Sequence, residues 1–107
     1  MIVVIFEVMM KDGKGDEYFD LAEQLRPELE TVDGFIEIER FRSLRNTGKY
    51  VSISTWRDDA SVQNWKERVD HQRAQERGKH EIFADFRIRV AEVKRDYQMS
   101  DAPVSAL

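Results

Sequence analysis

The chain contains no cysteine. Disulfides, thiolate metal sites and a cysteine nucleophile are therefore excluded, and the absence fits a reducing compartment. It also lacks a basic block. Seventeen Lys and Arg residues stand against 21 Asp and Glu, and the net charge of -4 is spread along the sequence. That is not the electrostatic footprint of a nucleic-acid binder. Long hydrophobic runs are missing too. The apolar start, Met1 to Phe6, meets a charge at Glu7 and has no basic region before it. It is too short for a signal peptide or a membrane span. The expectation is a cytoplasmic protein with neither a nucleic-acid nor a membrane partner.

Several chemical signatures are absent as well. Gly13-Lys14-Gly15 reads as a turn, not as a phosphate loop or dinucleotide fingerprint. Ser52, Ser54 and Ser61 carry no nucleophile-elbow pattern. His71 and His80 stand apart across Gly78, with no third ligand of clear spacing, so no metal site is expected.

What remains is 107 residues with 41% apolar and 36% charged content. That is one soluble domain with a thin core. Ile2 to Met10 is rich in β-branched and apolar residues and reads as a strand covered on both faces. A turn cluster follows at 11–15. Asp16 is a candidate N-cap, and Tyr18, Leu21, Ala22, Leu25, Leu29 and Val32 form one helical stripe. Pro27 should kink that helix or split off its last turn. Asp33-Gly34 ends it. Phe35 to Ser43 and Lys49 to Arg57 alternate as strands around a hairpin turn at Arg45 to Gly48. Asp58 or Asp59 can cap a second helix carrying Val62, Trp65 and Val69. Asp70 can cap a continuation from His71 to Arg77, with Gly78 as its stop. Ile82 to Arg95 is a last strand that sets Phe86, Ile88 and Val90 against Arg87 and Arg89.

The order strand, helix, strand, strand, helix, strand is that of an α+β, ferredoxin-like βαββαβ fold, an antiparallel sheet with both helices on one face. The domain spans 1–98, and 99–107 reads as a flexible tail. If Ile36, Ile38, Val51 and Ile53 meet the helices, then Phe35, Glu37, Glu39, Phe41, Tyr50 and Trp56 lie on the other face. So many aromatics are a costly patch on a monomer, and a second copy of the sheet would cover them. Glu37 or Glu39 would then meet Arg87 or Arg89, across the sheet or the interface. The alternative is a partly solvated face whose ion pairs contribute little.

The segment with most chemistry runs from Trp65 to Gly78. Helical spacing puts His71, Ala74, Gln75 and Gly78 on one face. Small residues leave space there, and His71 and Gln75 supply hydrogen-bonding groups. One reading is a cavity lined by His71, Gln75 and Trp65. The plainer reading is that His71 caps or bonds backbone while Ala74 and Gly78 permit close packing. As a general base His71 is suited to work near neutrality.

Gly34-Phe35-Ile36, Glu39-Arg40-Phe41-Arg42-Ser43-Leu44, Gly48 through Asp58, Trp65, His71 through Gly78 and Ile82 through Val90 appear in that order. Together they resemble the antibiotic-biosynthesis-monooxygenase family over roughly residues 1 to 98. The resemblance implies a homodimer, a dimeric α+β barrel with two sheets face to face, and a substrate pocket between each sheet and its own helices. Some members of that family oxygenate phenolic or quinol-type aromatics without metal or flavin, and others degrade haem. Trp65 matches the haem degraders. Where they place an Asn and a haem-ligating His, this chain has Glu7 and Gln75, and Gln is a poor iron ligand beside imidazole. The expectation is therefore no cofactor: no metal, no flavin and no tightly bound haem. A small aromatic substrate is expected, with His71 and Gln75 as catalytic residues and Trp65, Phe83 and Arg40 as binding residues. A non-catalytic small-molecule-binding dimer and a divergent haem-degrading type are the alternatives.

Overall fold

In the computed structural model, described over residues 1–75 and 83–100, six elements follow one another: β1 (Ile2–Met10), α1 (Gly15–Glu30), β2 (Phe35–Arg42), β3 (Lys49–Trp56), α2 (Asp59–Gln75) and β4 (Phe83–Glu92). The side chains of 70–75 lie outside that description. So do Ile82, the helix stop expected at Gly78 and the tail beyond 100. The strands form one antiparallel sheet in the order β2-β3-β1-β4, the ferredoxin-like α+β arrangement.

Three local expectations need correction. The first helix is capped by Lys14, without a side-chain hydrogen bond, and Asp16 sits inside its first turn. There Asp16 and Glu17 face the positive end of the helix dipole. The helix also continues through Pro27 to Glu30, so its last turn is not split off. Pro27 lies on the exposed side, where water can take the carbonyl whose donor the ring removes. Finally, α2 runs unbroken past Asp70 to Gln75. Its cap is Asp58, whose Oδ1 accepts from the Ser61 N–H at 2.9 Å and the Ser61 hydroxyl at 2.7 Å.

The facing of β2 and β3 is also corrected. Strict alternation fails at Ile36, where the register shifts between Phe35 and Glu37. The bulge lets both Phe35 and Ile38 pack toward the helices and leaves Ile36 54% exposed. On β3 the helix-facing residues are Tyr50, Ser52, Ser54 and Trp56. The two serines are buried, and the Trp56 indole N–H donates to the Ser54 hydroxyl at 2.9 Å. A polar pair on the inner side thus reverses the reading that apolarity alone suggests. Val51, Ile53 and Thr55 belong to the outer face, with Glu37, Glu39 and Phe41 opposite them.

The core has two parts along this helix-facing layer. Val8, Met10 and Tyr18 form one, with Phe6, Leu21, Tyr50 and Phe83 against it. Leu29, Val32, Trp56 and Val62 form the other, with Phe35, Ile38 and Trp65 around them. Trp56 is only 1% exposed. Beside it, Arg57 donates to both oxygens of Asp33 at 3.1 and 2.9 Å and to Asp58 at 3.1 Å. One guanidinium therefore links the end of β3 to the α1–β2 turn and to the α2 cap.

Two outcomes follow. Gly34 has φ +91, and a Cβ there would stand 2.7 Å from the Ser61 Cβ. Gly48 has φ +81 but open space around it. Both Gly→Ala changes incur backbone strain of roughly 1–3 kcal/mol, and Gly34→Ala adds a collision with Ser61. Urea unfolding should show the larger loss for Gly34→Ala; equal losses would count against this packing. The second concerns acid. The Ser61 hydrogen bonds, then Arg57, lower Asp58 from the ordinary 3.8 to about 2. The folded state therefore gains from ionised Asp58 at any pH above the ordinary value and loses that gain as pH falls toward 2. Asn also caps helices but does not titrate. Asp58→Asn should flatten the decline in circular dichroism between about pH 4 and 2, whereas an unchanged acid profile would contradict it.

Candidate functional site

The layer between helices and sheet is not evenly filled. Topology sends α2 from the Trp56 end of the sheet back to the Phe83 end, crossing above β1 on its way to β4. In the first half of α2, Val62 and Trp65 join the Trp56 cluster, and just past its middle Arg68 donates to the Thr31 hydroxyl at 3.2 Å. Beyond it, the helix-facing residues of β4 are in register with those of β1: Phe86 with Val8, Ile88 with Phe6, Val90 with Val4. Yet Phe86, Ile88 and Val90 are 55%, 54% and 51% exposed. They form an apolar floor on the helix-facing side of β4.

The residues expected to bind substrate are distributed along this layer. Trp65 stands at one end, in the Trp56 cluster. Phe83 stands at the other, edge-on to Phe6 at 5.8 Å and to Tyr18 at 5.8 Å. It also meets Phe86 at 6.4 Å, so it borders the floor. The side chains of His71 and Gln75 lie outside the described residues. Their backbone belongs to α2. At 1.5 Å per residue, position 71 is roughly 9 Å past Trp65 toward the Phe83 end.

Arg40 faces the helices, opposite Ser52. It lies on β2, the edge strand away from β4. It therefore does not join Phe83, and it lines a separate opening between α1 and the sheet edge. A cleft of about 530 Å³ there is bordered by Phe19, Glu23 and Arg26 of α1 and by residues of β2. Its neighbour of about 310 Å³ is lined by Phe19, Arg40, Phe41, Arg42 and Tyr50. Phe19 and Tyr50 meet edge to face at 5.0 Å. Neither Phe19 nor Tyr50 stands out as a site residue in the sequence, because Phe19 is off the apolar helix stripe and Tyr50 is assigned to the wrong face. Among the described residues no group of three His, Cys, Asp or Glu is placed to hold a metal ion, and no helix is long and apolar enough to cross a membrane.

Residues 1–77 match the family described as antibiotic biosynthesis monooxygenase. The chain is 41% identical over 93 residues to a protein of Pyricularia oryzae named jasmonate monooxygenase ABM. That match takes in 87% of this chain but 43% of the relative, so the chain spans less than half of that protein's length. Among solved structures, the haem degrader MhuD of Mycobacterium tuberculosis, with two haems in its active site, superposes with a TM-score of 0.74 at 19% identity, over 92% of this chain and all of that one. A mutant of SnoaB, a cofactor-independent oxygenase from Streptomyces nogalater, superposes at 0.70 with 11% identity, over 89% and 94%. At these identities the two structures speak for the fold alone.

Proposed function

Since the chain belongs to the antibiotic biosynthesis monooxygenase family, we propose that it is a small monooxygenase that oxidises an electron-rich aromatic of phenol or quinol type without a cofactor. The observation that carries this reading is the uncovered apolar floor of Phe86, Ile88 and Val90, facing the helix layer and bordered by Phe83. Half-exposed apolar side chains on the inner side of a sheet suit a flat apolar guest.

In a cofactor-free reaction the substrate supplies the electrons for dioxygen, and a phenolate supplies them better than a phenol. The protein then binds the ring, removes a proton and stabilises the resulting negative charge. Phe83 and Trp65 form the aromatic ends of the binding layer. Neutral His71 accepts the phenolic proton, since its ordinary pKa of about 6.5 suits that task. Gln75, one turn further along α2, donates a hydrogen bond to the phenolate or to an oxygenated intermediate. Arg40 binds a negatively charged group in its own opening at the β2 edge, apart from the layer that holds the ring.

The proposed partner is a second copy of this chain, applied to the outer face. Val3, Ile5, Val51 and Ile53 lie on the two central strands of that face together with Glu7, and Phe41 flanks them on β2. The edges of the face carry opposite charge: Glu37 and Glu39 on β2, Arg87 and Arg89 on β4. The expected Glu–Arg contact within one sheet is corrected here. Glu39, Ile53, Ile5 and Arg89 occupy one row across four strands, so the two charges are about 14 Å apart at 4.8 Å per strand. Between two copies the charges do meet. A twofold axis along the strands lays β2 on the partner's β4 and brings Glu39 over the partner's Arg89. An axis across the strands would set Glu against Glu.

Two measurements test these readings. Oxygen uptake with a panel of hydroquinones and naphthols should fall by about 10²–10⁴-fold in His71→Ala and less in Gln75→Ala, with the dimer retained. Uptake untouched by His71→Ala removes that residue from the mechanism, and no uptake with any substrate favours a binding dimer. For the interface, Arg89→Glu should weaken self-association at least about tenfold in sedimentation. Adding Glu39→Arg should restore it. A monomeric wild type, or a double variant no better than the single one, would refute the pairing.

A further inference from the structure

We infer that the cleft at the β2 edge is a binding site for a carboxylate carried on a small apolar body, with Arg40 as the recognition group. The inference rests on the reading above only in taking Arg40 as a ligand-binding residue, and it adds the chemistry of what is bound.

Arg40 is an unusual cation for this chain. It sits on the helix-facing side of its strand and is only partly exposed. Its Nε is fully covered and has no hydrogen-bond partner. No described hydrogen bond or ion pair satisfies any other part of the guanidinium. By contrast, Arg26 at the rim of the same opening is held by Glu30 at 3.2 Å, and Arg57 is held by two aspartates. An arginine drawn under a helix without a carboxylate has given up hydration and gained no counter-charge. Its two terminal nitrogens remain available in a planar fork, the arrangement that receives a carboxylate through two parallel hydrogen bonds.

The surroundings define the rest of the ligand. The smaller cleft, about 310 Å³, is lined by Phe19 and Tyr50 with Arg40 and Arg42, and by Phe41 from the edge of β2. Three aromatic residues and two cations line it, with no carboxylate. The acidic residues Glu23, Glu37 and Glu39 line the adjoining cleft of about 530 Å³, which Arg40 also borders. They discourage a small, fully hydrated anion from accumulating beside it. They do not touch an apolar body lodged between the rings. A bare inorganic anion would satisfy Arg40 but leave the aromatic walls wet. A neutral apolar molecule would cover the walls but leave Arg40 unpaired. A molecule with an aromatic or alicyclic body and one carboxylate does both.

The probe is 3-phenylpropionate, compared with 3-phenylpropanol and with inorganic phosphate, titrated calorimetrically into the intact protein under nitrogen so that no turnover contributes. The acid should bind at least about tenfold more tightly than the alcohol, and phosphate should not displace it at equal concentration. Arg40→Gln should remove the preference for the acid and leave alcohol binding unchanged. Arg40→Lys, which keeps the charge but not the fork, should recover only part of it. Phe19→Ala, at an exposed position on α1, should weaken the acid and the alcohol alike. Acid and alcohol binding equally, a preference that survives Arg40→Gln, displacement by phosphate, or no binding at all would each overturn the inference. These outcomes are independent of oxygenation. His71→Ala should leave acid binding intact, so a protein that binds the acid but consumes no oxygen keeps this inference and loses the proposed reaction. One that oxidises uncharged phenols with no dependence on Arg40 does the reverse.

Discussion

Both helices are anchored to the sheet at one end, through the indole of Trp56. It fills the space between Leu29 and Val32 at the end of α1 and Val62 at the start of α2. Burying so large a ring requires a partner for its N–H, which Ser54 on the same strand provides. The residues on either side extend the constraint. Gly34 passes so close to Ser61 that no side chain fits, and Arg57 clamps the two loops from outside. At the opposite end the described core is made by α1 and the strands, and the inner face of β4 is about half exposed. A firm end and an open end in the same two-layer fold make room for a guest without an interruption of the sheet.

The charges follow the same economy of position. Apart from Glu7, the outer face is apolar at its centre, acidic along β2 and basic along β4. A single strand register separates the two signs by the width of the sheet. The inner face keeps its polar groups few and mostly paired: Ser54 with Trp56, Ser61 with Asp58. Among the described residues, Arg40 keeps a covered Nε without a partner. Its unmet guanidinium lies on the opposite side of α1 from the β4 floor, so the helix layer presents two chemically different openings, one apolar and one cationic with aromatic walls.

Much of this architecture is legible in the residues. Helix stripes such as Tyr18, Ala22 and Leu29 mark α1, and Phe86, Ile88 and Val90 against Arg87 and Arg89 fix the two faces of β4. The facing of β2 and β3 is not legible from alternation, for two local reasons. Ile36 occupies a bulge, which breaks the period of two, and Ser52 and Ser54 are buried although serine ordinarily marks the solvent side. The cap at Asp58 is readable from its spacing to Ser61. The unbroken passage of α1 through Pro27 is not, because it depends on the exposure of that turn. At the site, Trp65 and Phe83 are recognisable as aromatic, but their separation to opposite ends of the layer is a property of the chain path. The importance of Phe19 arises only when α1 is laid over β2.

The bulge at Ile36 has a consequence for how this strand tolerates change in length. Strict pairing would give Phe35 and Ile38 opposite orientations. One extra residue between them turns both inward and leaves Ile36 outside the ladder, bonded to no particular packing partner in the core. Such a position behaves as a phase adjuster in the sequence. Ile36 is the residue outside the pairing, so its loss would close the bulge and leave Phe35, Glu37 and Ile38 in regular alternation, with both apolar side chains still inward. A second added residue would instead rotate one side by half a period and turn Phe35 or Ile38 to the outer face. Replacing Ile36 alters no alignment at all. Among relatives of this fold, substitutions and single-residue losses should therefore be tolerated at this point of β2 while insertions are not.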